Sequence, residues 1–207
     1  TGRIEAAGRA AEAGLGRTPR RLRTVRPLRA GTITDLGLFD GMIHRFLASA
    51  RIRRPWPRFQ AAIAIPGGTT EVERLALVES LRHAGAARVL LVDQVLAAAR
   101  GAGLPIEESR GRMIVNIGAG VTDAAVISLG SIVQARATRT AGDDLDAAIA
   151  AWVRAEHHLL IGERTAERLK LSLASASTVL IKGRCIRLGV PRQALIHAAP
   201  LHAALLP

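Results

Sequence analysis

The pattern of apolar and polar positions predicts helices and strands in the first half of the chain. Apolar residues recur at helical spacing in TDLGLFDGMIHRFLASA, residues 34–50, with Thr34 or Asp35 as the N-cap. A second helix is predicted to begin at a capping box formed by Thr70 and Glu73. Its inward stripe is predicted to comprise Val72, Leu75, Val78 and Leu81. Apolar runs at 61–65 and 88–92 predict buried strands, and their alternation with helices favours an α/β layer with parallel pairing.

The second half of the chain opens with a different pattern. The stretch MIVNIGAGVTDAAVISLG, Met113 to Gly130, predicts two strands joined by a turn at 118–120, and a third strand runs to about residue 139. Glycines in both turns are expected where the backbone needs positive φ. Two helices are expected after residues 141 and 161, whereas residues 178–207 predict no clear element. The turn-rich segment 103–112 predicts a boundary between domains at 1–110 and 111–207.

Composition and charge indicate which partners and which cellular compartment the sequence fits. The formal net charge is +12, and arginine carries nearly all of it, since Lys170 and Lys182 are the only lysines. A basic surface can bind nucleic acid or an anionic membrane, but these arginines are scattered, as a GC-rich coding sequence would also produce. Cys185 is the only cysteine, which fits a reducing cytosol. No signal peptide and no membrane-spanning run is expected.

The glycine turn at 118–120 is the strongest candidate for chemistry. Its small residues leave backbone N–H groups unshielded, and such groups can form a nest for an anion such as phosphate. Thr122 adds a hydroxyl donor. The chain has no Gly-x-x-x-x-Gly-Lys-Ser/Thr motif, which excludes a P-loop enzyme. A strand follows the turn where a Rossmann motif requires a helix, so that site is excluded too.

Several colinear motifs resemble the bacterial actin MreB family. The similarity covers about residues 12–193, and its motifs are long enough to be specific. They are GRTPRRLRTVRPLRAGTITD, IPGGTTEVERLA, AAARGAGLPI, MIVNIGAGVTDAAVISLGSIV, AGDDLDAAI, LLIGERTAERLK and GVPRQ.

This resemblance implies a fold and a role. The implied fold class is α/β, an incomplete actin-like ATPase (ribonuclease H-like) fold with a mixed sheet flanked by helices. Residues 1–110 would be a remnant of the first subdomain without its first phosphate hairpin, and 111–207 a C-terminally truncated second subdomain. The implied role is cytoskeletal, organising cell shape and cell-wall synthesis from filaments in the cytoplasm, peripheral on the inner face of the cell membrane. The implied partners are the chain itself or a full-length MreB-like filament, with no specific nucleic acid.

The resemblance also assigns site residues for ATP and Mg²⁺, with no side chain expected to ligate a metal directly. The phosphate-binding positions are Gly118, Ala119, Gly120 and Thr122. Asn116 occupies the Mg²⁺-site position, and Asp93 matches the residue that positions the attacking water. The adenosine-side positions are Glu163, Glu167 and Lys170. The membrane-contact loop corresponds to Trp56 with Arg53, Arg54 and Arg58.

Departures from the family pattern predict a degenerate ATP site. Asn116 replaces a carboxylate with a neutral amide, Ala119 replaces the central glycine, and Asp93 is one methylene shorter than the usual Glu. Two alternatives stay open. One is an active ATPase completed by missing segments or a partner chain. The other is a basic nucleic-acid-binding module, which the scarcity of aromatics disfavours.

Smaller features have simpler interpretations. Glu167 and Lys170 are spaced to pair on a helix surface, which is an alternative to contact with adenosine. Asp143 and Asp144 are expected to serve the start of a helix. The pair His157-His158 lacks the spacing of metal ligands and is expected at a helix end.

Overall fold

A computed structural model of the chain describes residues 4–16, 18–19, 21–50 and 59–205. Its helices are α1 (Arg9–Glu12), α2 (Leu36–Ser49), α3 (Glu71–His83), α4 (Gln94–Gly101), α5 (Gly142–His157), α6 (Glu163–Leu173) and α7 (Ala198–Leu205). Its strands are β1 (Leu28–Arg29), β2 (Thr32–Ile33), β3 (Gln60–Ile65), β4 (Arg88–Asp93), β5 (Arg112–Ile117), β6 (Thr122–Ser128), β7 (Ser131–Thr138), β8 (Leu159–Leu160), β9 (Thr178–Cys185) and β10 (Pro191–His197).

The chain divides into two compact units, Thr1–Arg139 and Thr140–Pro207. The boundary predicted near residue 110 therefore lies inside the first unit. The reason is that α4, which precedes that boundary, packs against β5 and β6, which follow it. The assignment of subdomains to residues 1–110 and 111–207 stays a prediction.

Unit 1 contains two small sheets. Strands β3 and β4 pair in parallel, with Gln60 opposite Arg88 and Ile65 opposite Asp93, which confirms the predicted parallel layer. Strands β5, β6 and β7 form an antiparallel sheet in that order. One apolar cluster is built on Phe39, Ile65 and Leu77. A second cluster joins α4 to the antiparallel sheet through Val95, Ala99, Ile106, Ala125 and Ile127.

Helix α2 begins as the sequence predicts. Asp35 is its N-cap, and the Asp35 carboxylate accepts a hydrogen bond from the Leu38 backbone N–H at 2.9 Å. Phe39 is buried in the core, but Phe46, seven residues later at the same helical spacing, is 44% exposed. The stripe is therefore buried mainly at its N-terminal end.

Helix α3 has the predicted capping box and a different inner face. The Thr70 side chain accepts a hydrogen bond from the Glu73 N–H, and the Glu73 carboxylate accepts one from the Thr70 N–H. The predicted stripe is wrong at Val72 and Leu75, which are 77% and 56% exposed. The stripe is confirmed at Leu81, which is buried. Leu77, four residues earlier on the same face, is buried in place of Val72 and Leu75, with Ser80 beside it. Two apolar stripes compete on this helix, and packing on the core selects the second.

Unit 2 combines helices α5, α6 and α7 with the antiparallel sheet β10-β9-β8. Its core joins Ile149 and Val153 of α5 to Leu169 of α6, and to Ile181 and Ile196 of the sheet. The hairpin formed by β9 and β10 occupies residues for which the sequence predicted no clear element. Its inward residues alternate with exposed cations and leucines, so the apolar period is diluted.

Candidate functional site

The candidate phosphate hairpin lies between β5 and β6 of unit 1. Ile117 and Thr122 are paired in register at its base, and residues 118–121 form the turn. The Gly118 N–H donates to the Val121 carbonyl at 2.9 Å, so this group already serves the turn. Ala119 is exposed at the apex. The N–H groups of Ala119, Gly120 and Val121 have no partner among the described residues and are therefore the ones that remain for an anion.

The glycines of this turn have a role that the sequence did not predict. Neither Gly118 nor Gly120 has positive φ, so that expectation was wrong for this hairpin. It is confirmed in the next turn, where Gly130 has φ +71°. A Cβ placed on Gly120 would lie 2.8 Å from the backbone of Ala30, in the turn between β1 and β2. Gly120 is required by this close approach of two backbones, independently of any ligand.

Asn116 faces a buried carboxylate across the ladder. Its register partner is Asp123 on β6, and directly opposed residues of an antiparallel pair point to the same face. Asp123 is 2% exposed. One Asp123 oxygen, Oδ1, accepts a hydrogen bond from the Gly67 N–H at 3.0 Å, and the other, Oδ2, is buried without a partner among the described residues. Burial raises the pKa of the Asp123 carboxyl, and the hydrogen bond from Gly67 opposes that rise.

Sequence reasoning missed Asp123, although a signal was present. Residues 121, 123, 125 and 127 are the buried positions of VTDAAVIS, and a period of two places them on one face. A carboxylate in phase with Ala125 and Ile127 is a polar group at a core position. Such a group is expected to carry a specific contact, here to the loop that follows β3.

A cavity of about 180 Å³ lies beside the hairpin within unit 1. Its wall includes Gly31, Gly67, Thr69, Glu73 and Arg139. Small-molecule sites usually measure roughly 300–1,000 Å³, so this cavity has room for a phosphate-sized group and not for a whole nucleotide.

Glu73 connects the cavity wall to the start of α3. The Thr70 N–H lowers the pKa of the Glu73 carboxyl, and the hydroxyls of Thr32 and Thr70 lower it further. Thr32 donates to Glu73 at 2.8 Å, which ties the β1–β2 hairpin to α3. The carboxylate of Glu73 is thus structural, because its oxygens are held by three donors.

Asp93 lies at the carboxyl end of β4, next to the end of β3. The loop after β3 contains Gly67, whose N–H donates to Asp123 on β6. This loop follows Ile65, the register partner of Asp93, so it connects the neighbourhood of Asp93 to β6. Asp93 is half-buried at the N-cap position of α4, and its side chain accepts no capping hydrogen bond there. Its carboxylate is not used to begin that helix.

The predicted adenosine-side residues lie in unit 2, on α6. Lys170 Nζ is 3.0 Å from both oxygens of the Asp146 carboxylate, donates to Oδ2, and also donates to the Gly142 carbonyl at 3.1 Å. Lys170 therefore joins α6 to the start of α5 rather than pairing with Glu167. Glu163 and Glu167 are exposed on the same helix.

The remaining predictions have simple outcomes. The Asp144 carboxylate accepts the Ala141 N–H at 2.8 Å, which confirms its place at the start of α5. His157 and His158 are at the end of α5, as expected. The described residues hold no group of three or more His, Cys, Asp or Glu placed to bind a metal ion. Trp56, Arg53, Arg54 and Arg58 lie outside the described residues. No described helix is both long and apolar enough to cross a membrane.

The parallel strands β3 and β4, the antiparallel sheet β5-β6-β7 and the glycine turn define an actin-like ATPase fold. The family model described as MreB/Mbl protein matches residues 1–207, and the chain belongs to this family. The chain is 41% identical over 198 residues to the cell shape-determining protein MreB of Escherichia coli K12. That match covers 91% of this chain and 56% of the relative.

Solved structures agree on the fold. MreB5 of Spiroplasma citri, crystallised with AMPPNP, matches with a TM-score of 0.88 at 34% identity, over 96% of this chain and 61% of that chain. The protein of the MamK double helical filament matches with a TM-score of 0.74 at 20% identity, over 93% of this chain and 60% of that one, a likeness of fold alone. The chain therefore spans between half and two thirds of the length of these proteins.

Proposed function

We propose that this chain is a cell shape-determining cytoskeletal protein whose glycine turn contacts the phosphates of a nucleotide. The observation that carries the proposal is the turn itself. Three backbone N–H groups of the turn, those of Ala119, Gly120 and Val121, have no partner among the described residues. The turn borders a cavity of phosphate size, and the chain is 34% identical to a protein crystallised with AMPPNP. Backbone donors at a turn of small residues bind anions without a cationic side chain.

The residues fit a phosphate better than they fit Mg²⁺. Mg²⁺ is held in proteins by one or two carboxylates together with substrate phosphates. Here Asn116 offers only a neutral amide. Asp123, opposite it, is buried and already binds the Gly67 N–H through Oδ1. We therefore expect nucleotide binding to depend only weakly on Mg²⁺.

The other assignments follow as parts of the same proposal. Thr122 would add its hydroxyl to the phosphate contact. The family resemblance assigns Glu163, Glu167 and Lys170 to contact with adenosine. Lys170 would act there through its carbon stem, since its ammonium group is held by Asp146. Asp93 would orient water, because its carboxylate is not used by α4.

Calorimetric titration with ATP, with and without Mg²⁺, tests the phosphate contact. Gly118→Val should abolish binding, since a Cβ there would lie 3.1 Å from the Val121 carbonyl that closes the turn. Gly111→Val is the matched control, because a Cβ at Gly111 meets only the Val126 side chain at 3.4 Å. Equal binding by the wild type and Gly118→Val, or no binding by the folded wild type, would refute the proposal.

Restoring the family residues sharpens the test. Asn116→Asp places two carboxylates opposite each other, which repel without a cation and attract Mg²⁺. We expect this variant to gain Mg²⁺-dependent ATP affinity, and Ala119→Gly to raise affinity without changing its Mg²⁺ dependence. A wild type that already needs Mg²⁺ as strongly as Asn116→Asp would contradict the degenerate metal site.

The proposed role also includes filament formation and a position at the membrane. The proposal is that the chain joins filaments, with itself or with a longer relative, at the inner face of the cell membrane. Electron microscopy of the chain with nucleotide, alone and mixed with a longer relative, tests the first part. Vesicle binding by the wild type and by Trp56→Ala tests the second. Failure to form or enter any filament would leave the nucleotide contact standing and refute the cytoskeletal part.

A further inference from the structure

The hairpin of unit 2 presents one of its faces to solvent. We define the cationic hairpin as β9, β10 and their connecting turn, residues 178–197. Ile181, Cys185 and Ile196 face the core of unit 2. The opposite face carries the cross-strand pairs Leu180–Leu195 and Lys182–Gln193. All four of these residues are exposed, so the outer face is amphipathic.

The tip of the cationic hairpin is apolar and exposed. Leu188 is 73% exposed, Val190 51% and Ile186 43%. These three aliphatic residues stand within five consecutive positions. The Leu180–Leu195 pair adds two exposed leucines further along the strands, separated from the turn by the Arg184–Pro191 and Lys182–Gln193 pairs. Single exposed apolar residues are ordinary, but a contiguous group at a hairpin tip marks a contact site.

The charge around this apolar surface has one sign. After Glu167 the sequence contains no Asp or Glu, and it contains six cationic residues. Four of them are in the cationic hairpin, at Lys182, Arg184, Arg187 and Arg192. Within unit 2, the acidic residues all lie on α5 and α6. The hairpin is therefore complementary in charge to an anionic surface from Lys182 to Arg192.

The turn is held rigidly by its own backbone. The Cys185 N–H donates to the Val190 carbonyl, and the Gly189 N–H donates to the Cys185 carbonyl, each at 2.8 Å. The Arg184 guanidinium donates to the Gly189 carbonyl at 3.1 Å. Because the turn is ordered before any partner arrives, presenting Leu188 costs little additional conformational entropy.

We propose that the cationic hairpin docks on an anionic lipid surface, with Ile186, Leu188 and Val190 inserted at the acyl boundary and the four cations at the headgroups. An exposed aliphatic turn flanked in sequence by arginine and lysine has the composition of an interfacial anchor. Nucleic acid is a poorer fit, because single strands stack on aromatic side chains and the hairpin contains no Phe, Trp or Tyr. The inference deepens the proposed membrane placement by naming a second contacting element, independent of Trp56.

Vesicle cosedimentation of the full chain tests this, with phosphatidylglycerol mixed into phosphatidylcholine and with phosphatidylcholine alone. The charge variant is Lys182→Glu with Arg187→Glu, and its matched control is Arg164→Glu with Arg168→Glu on α6. The apolar variant is Leu188→Ser, and its control is Leu171→Ser, since Leu171 is also exposed at 65%. Circular dichroism confirms that each variant remains folded.

We expect the charge variant to lower partitioning onto anionic vesicles by at least about tenfold, since each cation near such a surface contributes roughly fivefold. Leu188→Ser should lower it by roughly three- to tenfold, and both controls by less than about threefold. Equal loss in variant and control would mean that net charge alone drives binding and would overturn the proposal. If only Trp56→Ala lost vesicle binding, the membrane placement would stand, and the proposal that the hairpin contacts the membrane would be overturned. If the charge variant lost binding to duplex DNA but kept binding to vesicles, the hairpin would be a nucleic-acid contact and the proposal would be overturned.

Discussion

Asp123 shows how one buried carboxylate organises the candidate site. It lies opposite Asn116 in the ladder and binds the Gly67 N–H in the loop after β3. The glycine turn, the cavity wall and the end of the parallel layer therefore meet at a single side chain. Its second oxygen is buried without a partner in the described part of unit 1, which makes the ionised form costly.

Asp123→Asn is predicted to stabilise the chain at pH 7. The folded protein holds the Asp123 proton more tightly than the unfolded chain, because burial raises its pKa above the usual 3.8. Stability therefore falls as pH rises from 3.8 through the folded pKa, and the penalty persists at neutral pH. The amide keeps an oxygen acceptor for Gly67 without the charge. Urea unfolding across pH should show the variant more stable at pH 7, with the difference vanishing in acid.

Asp123→Ala provides the contrast at the same position. It leaves the Gly67 N–H without an acceptor, which should cost about 1–3 kcal/mol in acid, where the wild-type carboxyl is neutral. The cost should be smaller at pH 7, where the wild type bears the penalty of a buried charge. If Asp123→Asn were instead less stable than the wild type at pH 7, the carboxylate would have a cationic partner in solution. That outcome would reverse the conclusion that Mg²⁺ fits this site poorly.

At the scale of elements, the start of α5 and the middle of α6 are joined by Lys170. Lys170→Met is predicted to destabilise unit 2 by roughly 2 kcal/mol, because it leaves the buried Asp146 carboxylate without its cation. Urea unfolding measures this, and the double variant with Asp146→Asn should recover most of the loss. A variant with unchanged stability and reduced ATP affinity would show that the ammonium group serves the nucleotide instead.

Local signals predicted the elements better than their packing. The capping box at Thr70 and Glu73 was found because its hydrogen bonds involve neighbours in sequence. The inner face of α3 was found only at Leu81, since Val72 and Leu75 fit a helical stripe with Leu81 as well as Leu77 does, and only the core selects between them. The same limit applies to the site. The turn at 118–120 could be predicted from neighbouring residues. The contacts of Gly120 with Ala30 and of Asp123 with Gly67 could not, because they join residues far apart in sequence.

Thr70→Ala is predicted to lower stability by about 1 kcal/mol, because it removes the side-chain acceptor that caps α3. Thermal unfolding of the chain measures the loss. Thr70→Ser keeps a hydroxyl and should lose much less, which separates the cap from the packing of the methyl group. A loss as large in Thr70→Ser as in Thr70→Ala would show that the cap contributes little.

For the whole molecule, a high net charge and large exposed apolar surfaces act in opposite directions. The charge of +12 disfavours close approach of two copies and makes that repulsion dependent on salt. The outer face of β5 favours association, since Met113, Val115 and Ile117 are 67%, 52% and 68% exposed on one face. β5 is also the last strand of its sheet among the described residues, so its backbone edge is unpaired there.

The balance between these two terms predicts how the isolated chain behaves. Screening removes the repulsion, and sulfate strengthens apolar burial, so sedimentation should show self-association that grows with ammonium sulfate. Met113→Ser, Val115→Thr and Ile117→Thr together should keep the chain monomeric under the same conditions, without a large loss of fold stability, because these side chains are already in water. Leu160→Ser with Leu171→Ser, also exposed, is the matched control and should associate like the wild type. Association that weakens as salt is added would contradict the apolar origin, since ionic contacts between copies would then dominate.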